Sequence, residues 1–207
     1  MRYNLGSPKP LIGNQLKHLL IILSLLLFSF SFISCKSKDS TTSTDNSTTT
    51  GLFVTVGDSG TILTSSDGTS WDNRTSGTTI HLQGVTYGNG TFVTVGQSGT
   101  VLTSSDGTTW TSRTSGTTED LYGGVTYGNS TFVTVGSSGV ILTSPDGTTW
   151  TERTYGTFEN LHGVTYGNGL FVTVGNLGNI YTSSDGTSWT TRTTGTSNHL
   201  VGVTYSQ

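Results

Sequence analysis

The chain has 207 residues, with 9 Lys and Arg against 12 Asp and Glu and a formal net charge of −3, so it can build a sizeable domain but lacks a basic excess. From Gly51 to Gln207 ten carboxylates face four arginines and no lysine, a net of −6, which excludes a nucleic-acid surface that would need clustered cations to neutralise phosphates. The single cysteine, Cys35, excludes a disulfide framework.

In chain order, residues 1–34 come first and read as an export signal. Arg2, Lys9 and Lys17 precede fifteen residues, Leu19 to Ile33, in which only Ser24, Ser29 and Ser31 are polar. That run is short for a membrane span of about 20 residues and has the flanking charge of a signal peptide. Phe32-Ile33-Ser34-Cys35 resembles a bacterial lipobox. The resemblance implies cleavage after Ser34 and lipid attachment at Cys35, and hence a cell-envelope address, on the outer membrane in a diderm bacterium. A soluble exported protein with an incidental cysteine is the alternative. Residues 35–50 form the tether: of the fifteen from Lys36 to Thr50, ten are Ser or Thr and none is apolar, so they cannot bury a core. Chain statistics give such a tether a mean reach of roughly 20 Å.

Residues 51–207 are a repeat. Phe53, Phe92, Phe132 and Phe171 open F-V-T-V-G runs, and Trp71, Trp110, Trp150 and Trp189 close hairpins, both sets at spacings of 39, 40 and 39. A period near 40 rich in Val, Thr, Tyr and Gly predicts repeated small antiparallel sheets. In one unit the strands are expected at Leu82–Tyr87, Phe92–Val95, Thr100–Ser104 and Trp110–Thr114, joined by Gly, Asn, Asp and Ser turns. The inner strands alternate little between polar and apolar, as in a sheet covered on both faces.

The predicted fold is therefore all-β, a small β-propeller of four four-stranded blades, with an open β-solenoid as the competitor. The repeat starts in the second strand of a unit and reaches the first strand of another at Gly202-Val203-Thr204-Tyr205. Pairing of that segment with the first blade would close the ring and hide its edges.

The hairpin Ser65-Ser66-Asp67-Gly68-Thr69-Ser70-Trp71 recurs at 104–110, 144–150 and 183–189. It resembles the Asp-box of sialidase-like and photosystem II assembly-factor-like propellers, although it is one residue shorter between Asp and Trp, and Pro145 enters the third copy. Asp67, Asp106, Asp146 and Asp185 are expected to accept turn amides, and the four tryptophans to wedge between blades. A calcium site is a poor fit for single carboxylates on separate blades, since the ion takes 6–8 oxygens.

Resemblance to sialidases would imply three arginines converging on a substrate carboxylate. Here Arg74, Arg113, Arg153 and Arg192 each stand three residues after the tryptophan, at equivalent positions that point apart in a ring. Packing on an indole or pairing with a carboxylate is the expected use.

The copies differ on one face, where the connections between units meet the G-x-S-G turns. The turns vary at Asp58, Gln97, Ser137, Asn176 and Leu177. The connections supply the candidate binding residues: His81, Gln83, Glu119, Asp120, Tyr122, Tyr155, Phe158, Glu159, Asn160, His162, Asn198 and His199. Leu82, Leu121, Leu161 and Leu200 recur there and read as packing. His81, His199 and Asp120 lack paired ligand spacing, so no metal or other cofactor is expected. Tyr122, Tyr155 and Phe158 suit stacking on a sugar or anchoring a protein partner. The reading is a lipid-anchored, non-enzymatic binding or assembly-factor propeller for a protein or glycan, monomeric or completed into a ring by a second copy. The alternative is a sialidase-like exo-glycosidase.

Overall fold

A computed structural model describes residues 51–153 and 156–206; the signal, the tether with Cys35, and Tyr155 lie outside the described residues. Residues Thr48–Gln207 form one compact unit. It contains fifteen described strands in four antiparallel sheets. No helix among the described residues is long and apolar enough to cross a membrane.

The second sheet shows the design of a blade. β4 (Leu82–Gly88), β5 (Thr91–Gly96), β6 (Val101–Ser104) and β7 (Thr111–Arg113) follow one another in space as in sequence, a plain meander. β8 (Val125–Gly128), β9 (Thr131–Val135), β10 (Ile141–Ser144) and β11 (Thr151–Glu152) repeat it, as do β12 (Leu161–Gly167), β13 (Leu170–Gly175), β14 (Ile180–Ser183) and β15 (Thr190–Arg192). The first sheet has three strands: β1 (Phe53–Val56), β2 (Ile62–Ser65) and β3 (Asp72–Arg74). The strands fall where the repeat predicts, and β6, β9 and β10 are buried at nearly every position, which accounts for their weak alternation.

The core lies between sheets. Ile62, Leu82 and Leu102 join the first sheet to the second, with Val54, Val56 and Trp110 against them. Val93, Val95, Leu121, Phe132 and Leu142 join the second to the third beside Trp150, and Val133, Ile141, Leu161, Phe171 and Trp189 join the third to the fourth. Contacts run from β1 to β4, from β4 to β8 and from β8 to β12. Each sheet thus covers the face its predecessor leaves open.

Glycine sets the closeness of that approach. A Cβ on Gly88 would lie 2.1 Å from the Tyr127 ring, one on Gly128 2.1 Å from Tyr166, and one on Gly167 2.2 Å from Tyr205. Tyr127, Tyr166 and Tyr205 therefore each rest on the glycine that ends the V-T-Y run one unit earlier.

The expected closure does not occur. β1 pairs with β2 alone among the described strands, and residues 201–206 form no strand. Burial shows both ends to be open, since Phe53 is 57% exposed and Tyr205 47%, whereas Phe132 and Phe171 are fully buried. Units joined head to tail by one repeated contact make a ring only when the step between them divides a full turn. The contacts made here leave the Val203 segment on β12 and do not bring it to Phe53. The blades are thus those expected, and the row they form is open.

Candidate functional site

The two ends of the blades differ in chemistry. At one end lie the S-x-D-G hairpins, nearly identical in every unit. In the first, the Thr69 and Ser70 amides donate to Asp67 Oδ1 at 2.8 and 2.9 Å, the Gly68 amide donates to Ser65 Oγ at 2.8 Å, and the Ser65 hydroxyl donates to Asp67 at 3.0 Å. Asp106, Asp146 and Asp185 accept the same bonds at 2.7–3.0 Å. These bonds hold all four carboxyls well below the usual carboxylate range. For Asp67, Asp106 and Asp185 the backbone amide three residues on has the largest effect; for Asp146 it is the Thr148 hydroxyl. Each of these carboxylates thus serves its own turn through Oδ1.

Each indole of these hairpins donates to the glycine carbonyl three residues back, at 2.9–3.3 Å. Trp110, Trp150 and Trp189 lie between sheets. Trp71, with no described sheet before it, is 42% exposed.

The arginines act as rungs within their own sheets, a use the sequence did not suggest. Arg74, Arg113, Arg153 and Arg192 donate through Nε to the hydroxyls of Thr64, Thr103, Thr143 and Thr182, each at 2.8 Å. Arg74 also pairs with Asp72 at 3.1 Å. Arg74 and Arg113 sit in separate open depressions lined by Ser, Thr and Gly. They do not gather round a common point.

The variable end is built by the connections folding onto the turns of the preceding unit. The amides of Leu82, Leu121, Leu161 and Leu200 donate to the carbonyls of Gly57, Gly96, Gly136 and Gly175 at 3.0–3.1 Å. Leu82, Leu121 and Leu161 are buried, which fixes the residue before each of them over a turn. That residue is histidine in the first and fourth copies, aspartate in the second and asparagine in the third. His81 meets Asp58 at 2.8 Å, Asp120 accepts the Ser98 amide at 2.8 Å, Asn160 accepts the Ser138 amide at 3.0 Å, and His199 meets Asn176.

The later units knit these bonds into one network. Glu119 accepts from the Ser138 hydroxyl at 3.0 Å, and Ser137 Oγ donates to the Tyr122 hydroxyl at 2.9 Å. The Tyr122 ring stacks on His162, with centroids 5.9 Å apart and planes 19° from parallel, and His162 in turn meets Asn176 at 2.7 Å. Asp120, Tyr122, Asn160, His162 and His199 are thereby brought together, while His81 and Asp58 stand apart on the first unit. Gln83 is exposed at the bulge in β4, between Leu82 and Gly84. Glu159 and Asn198 direct their amides to the hydroxyls of Thr157 and Thr196.

Two apolar side chains project from this polar lattice. Phe158 is 88% exposed and Leu177 54%. Leu177 also has φ 57° and ψ 27°, the left-handed region, at the place where the other turns carry Ser59, Ser98 and Ser138. A γ-branched residue costs more there than serine or glycine would. The sequence marks Leu177 only as a variable turn residue, through the exchange of leucine for serine within the repeat.

No family model matches the chain, and no curated protein matches it. Among solved structures it is similar to YCF48 from Cyanidioschyzon merolae, at 22% identity over 53% of this chain and 39% of that one, with a TM-score of 0.47. It is also similar to a structure of YCF48 bound to D1 peptide, at 22% identity over 73% of this chain and 53% of that one, with a TM-score of 0.54. This second likeness is one of fold and agrees with the β-propeller class. The chain spans about half the length of that solved chain.

Proposed function

We propose that residues 51–207 are a non-catalytic protein-binding propeller module of assembly-factor type, held at the cell envelope by a lipid on Cys35, with the variable end as its docking face. The observation that carries the reading is the exposure of Phe158 and of Leu177, each beside a hydrogen-bonded polar frame. Interface anchors have this form: a few apolar side chains on a support that holds them out, within a polar rim. A left-handed leucine is also the kind of local strain that marks a functional position. Support from outside comes from the similar fold of YCF48, which is seen bound to D1 peptide.

The hairpins fit the Asp-box reading by their bonding, with aspartates that serve the turn. The exo-glycosidase alternative draws no support from four arginines tied to four different threonines.

The test compares wild type with Phe158→Ser/Leu177→Ser in affinity capture from envelope extract, with a glycan array alongside. A protein retained by wild type and lost by the double variant supports the reading. Equal retention moves the docking face elsewhere, and binding on the glycan array alone replaces a protein partner with a sugar. Incorporation of a labelled fatty acid into wild type, and none into Cys35→Ser, tests the anchor.

A further inference from the structure

Two histidines at the variable end converge on one oxygen. His162 Nε2 lies 2.7 Å from Asn176 Oδ1, and His199 Nδ1 lies closer still to the same atom, so the two ring nitrogens are no farther apart than twice that distance. The three side chains come from different segments: His162 from the bulge in β12 between Leu161 and Gly163, Asn176 from the turn after β13, and His199 from the connection that leaves β15. Each backbone is pinned beside its side chain. The Leu161 amide donates to the Gly136 carbonyl at 3.0 Å, the Asn176 amide to the Asn160 carbonyl at 2.9 Å, and the Leu200 amide to the Gly175 carbonyl at 3.0 Å. The His162 ring is held further by its stack on Tyr122, whose hydroxyl accepts from Ser137 Oγ.

The turn does not need this amide for its own shape. All four turns close by one backbone bond, from Thr61 to Asp58, Thr100 to Gln97, Val140 to Ser137 and Asn179 to Asn176, at 2.9–3.0 Å, and the side chain at the accepting position is different in each. The core does not need the histidines either, since His162 and Asn176 are half-buried and His199 is exposed. Where His162 stands, the first two connections carry Gln83 and Tyr122; where His199 stands, the first three carry His81, Asp120 and Asn160. Only at the fourth turn, among the described residues, do two imidazoles face one side-chain oxygen.

We propose that His162, His199 and Asn176 form a binding site for a late first-row divalent cation: zinc, nickel or copper. Imidazole nitrogen suits these ions and bonds them at about 2.0–2.1 Å, whereas calcium and magnesium take oxygen ligands. A small approach of the two rings closes the span between their nitrogens to that length. His162 Nε2 and His199 Nδ1 give lone pairs to the ion, and the proton each holds toward the amide oxygen moves to the other nitrogen of its ring, so the protein's net charge does not change. Asn176 Oδ1 is the third donor, since no three His, Cys, Asp or Glu side chains gather among the described residues. His199 is exposed, so water reaches the ion and completes its shell. The ion ties together the connections on either side of the turn that carries Leu177, and the site stands whether or not a protein docks there.

The experiment is calorimetric titration of zinc, nickel and copper(II) into the untagged full chain in detergent, with Cys35→Ser in every sample so that no thiol competes. The chain has four histidines, so few other sites can take up the ion. The parent chain is expected to bind one ion. His199→Gln alters an exposed residue outside any strand and should weaken binding about tenfold or more, as loss of even a supporting group does at metal sites, with an unchanged circular dichroism spectrum. His81→Gln should bind as the parent does, because His81 faces Asp58 on the first unit. The copper(II) paramagnetic resonance spectrum should show coupling to two imidazole nitrogens in the parent and to one in His199→Gln. Three results overturn the proposal: no uptake of any of the three ions by the parent, equal affinity in the parent and His199→Gln, or a loss in His81→Gln as large as that in His199→Gln.

Discussion

Gly128 and Tyr166 meet so closely that a Cβ on the glycine would lie 2.1 Å from the tyrosine Cγ. The contact joins the end of β8 to β12 in the next sheet, where the Tyr166 ring is also held against Phe171 at 4.7 Å. The ring has little room to retreat. Gly128→Ala is therefore expected to destabilise the domain by about 1–3 kcal/mol, the usual cost of overpacking, read as a lower urea midpoint. Gly167→Ala, whose added methyl would meet the exposed Tyr205, should cost distinctly less because that ring can move into solvent.

The four indoles should separate by position. Trp189 is 9% exposed and lies among Val133, Ile141 and Leu161, so Trp189→Ala should cost about 3–5 kcal/mol. Trp71 is 42% exposed with no described sheet before it, and Trp71→Ala should shift the denaturation midpoint far less. Equal losses at the two positions would contradict an open first face.

Acid should weaken the hairpins. The folded carboxyls of Asp67, Asp106, Asp146 and Asp185 titrate well below the ordinary value, so the unfolded chain binds protons first as pH falls. Their stabilisation is complete above the ordinary carboxylate pKa of about 3.9 and is lost progressively below it, toward the depressed folded values. Thermal unfolding from neutral pH downward should show melting temperatures that fall through this acid range. Asp146→Asn keeps an acceptor oxygen for the turn but no proton to gain, and it should flatten part of that fall.

Leu177 offers a trade between strain and recognition. With φ 57° it sits where glycine is at ease, so Leu177→Gly should raise stability by about 1 kcal/mol in a denaturation experiment. If it anchors a partner, the same change should weaken capture of that partner. A gain in stability with no loss of binding would leave Phe158 as the anchor.

The blade was legible because its determinants are local. Turn residues at fixed offsets and the recurrent Phe and Trp placed the strands to within about two residues, within the ordinary uncertainty of element ends. The connection leucines were likewise readable as packing. Closure was not legible, because it depends on the step from one unit to the next, and that step follows from contacts such as Gly84 against Gly124 that no single repeat records. The candidate face was only half legible. Variation among copies located the connections, but whether a polar residue is free or engaged depends on what stands opposite it across two units. Asp120 and Asn160 turned out to cap serine amides, and Arg113 to bridge to Thr103.

The uneven burial of Phe53, Phe132 and Phe171 also bears on how the domain comes apart. In a linear array each repeat is steadied only by its immediate neighbours, so the first described sheet, with its outer face exposed, opens before the middle. Amide exchange should therefore be fastest in β1 to β3 and slowest in β9 and β10. A row built this way frays from an exposed face like a zip.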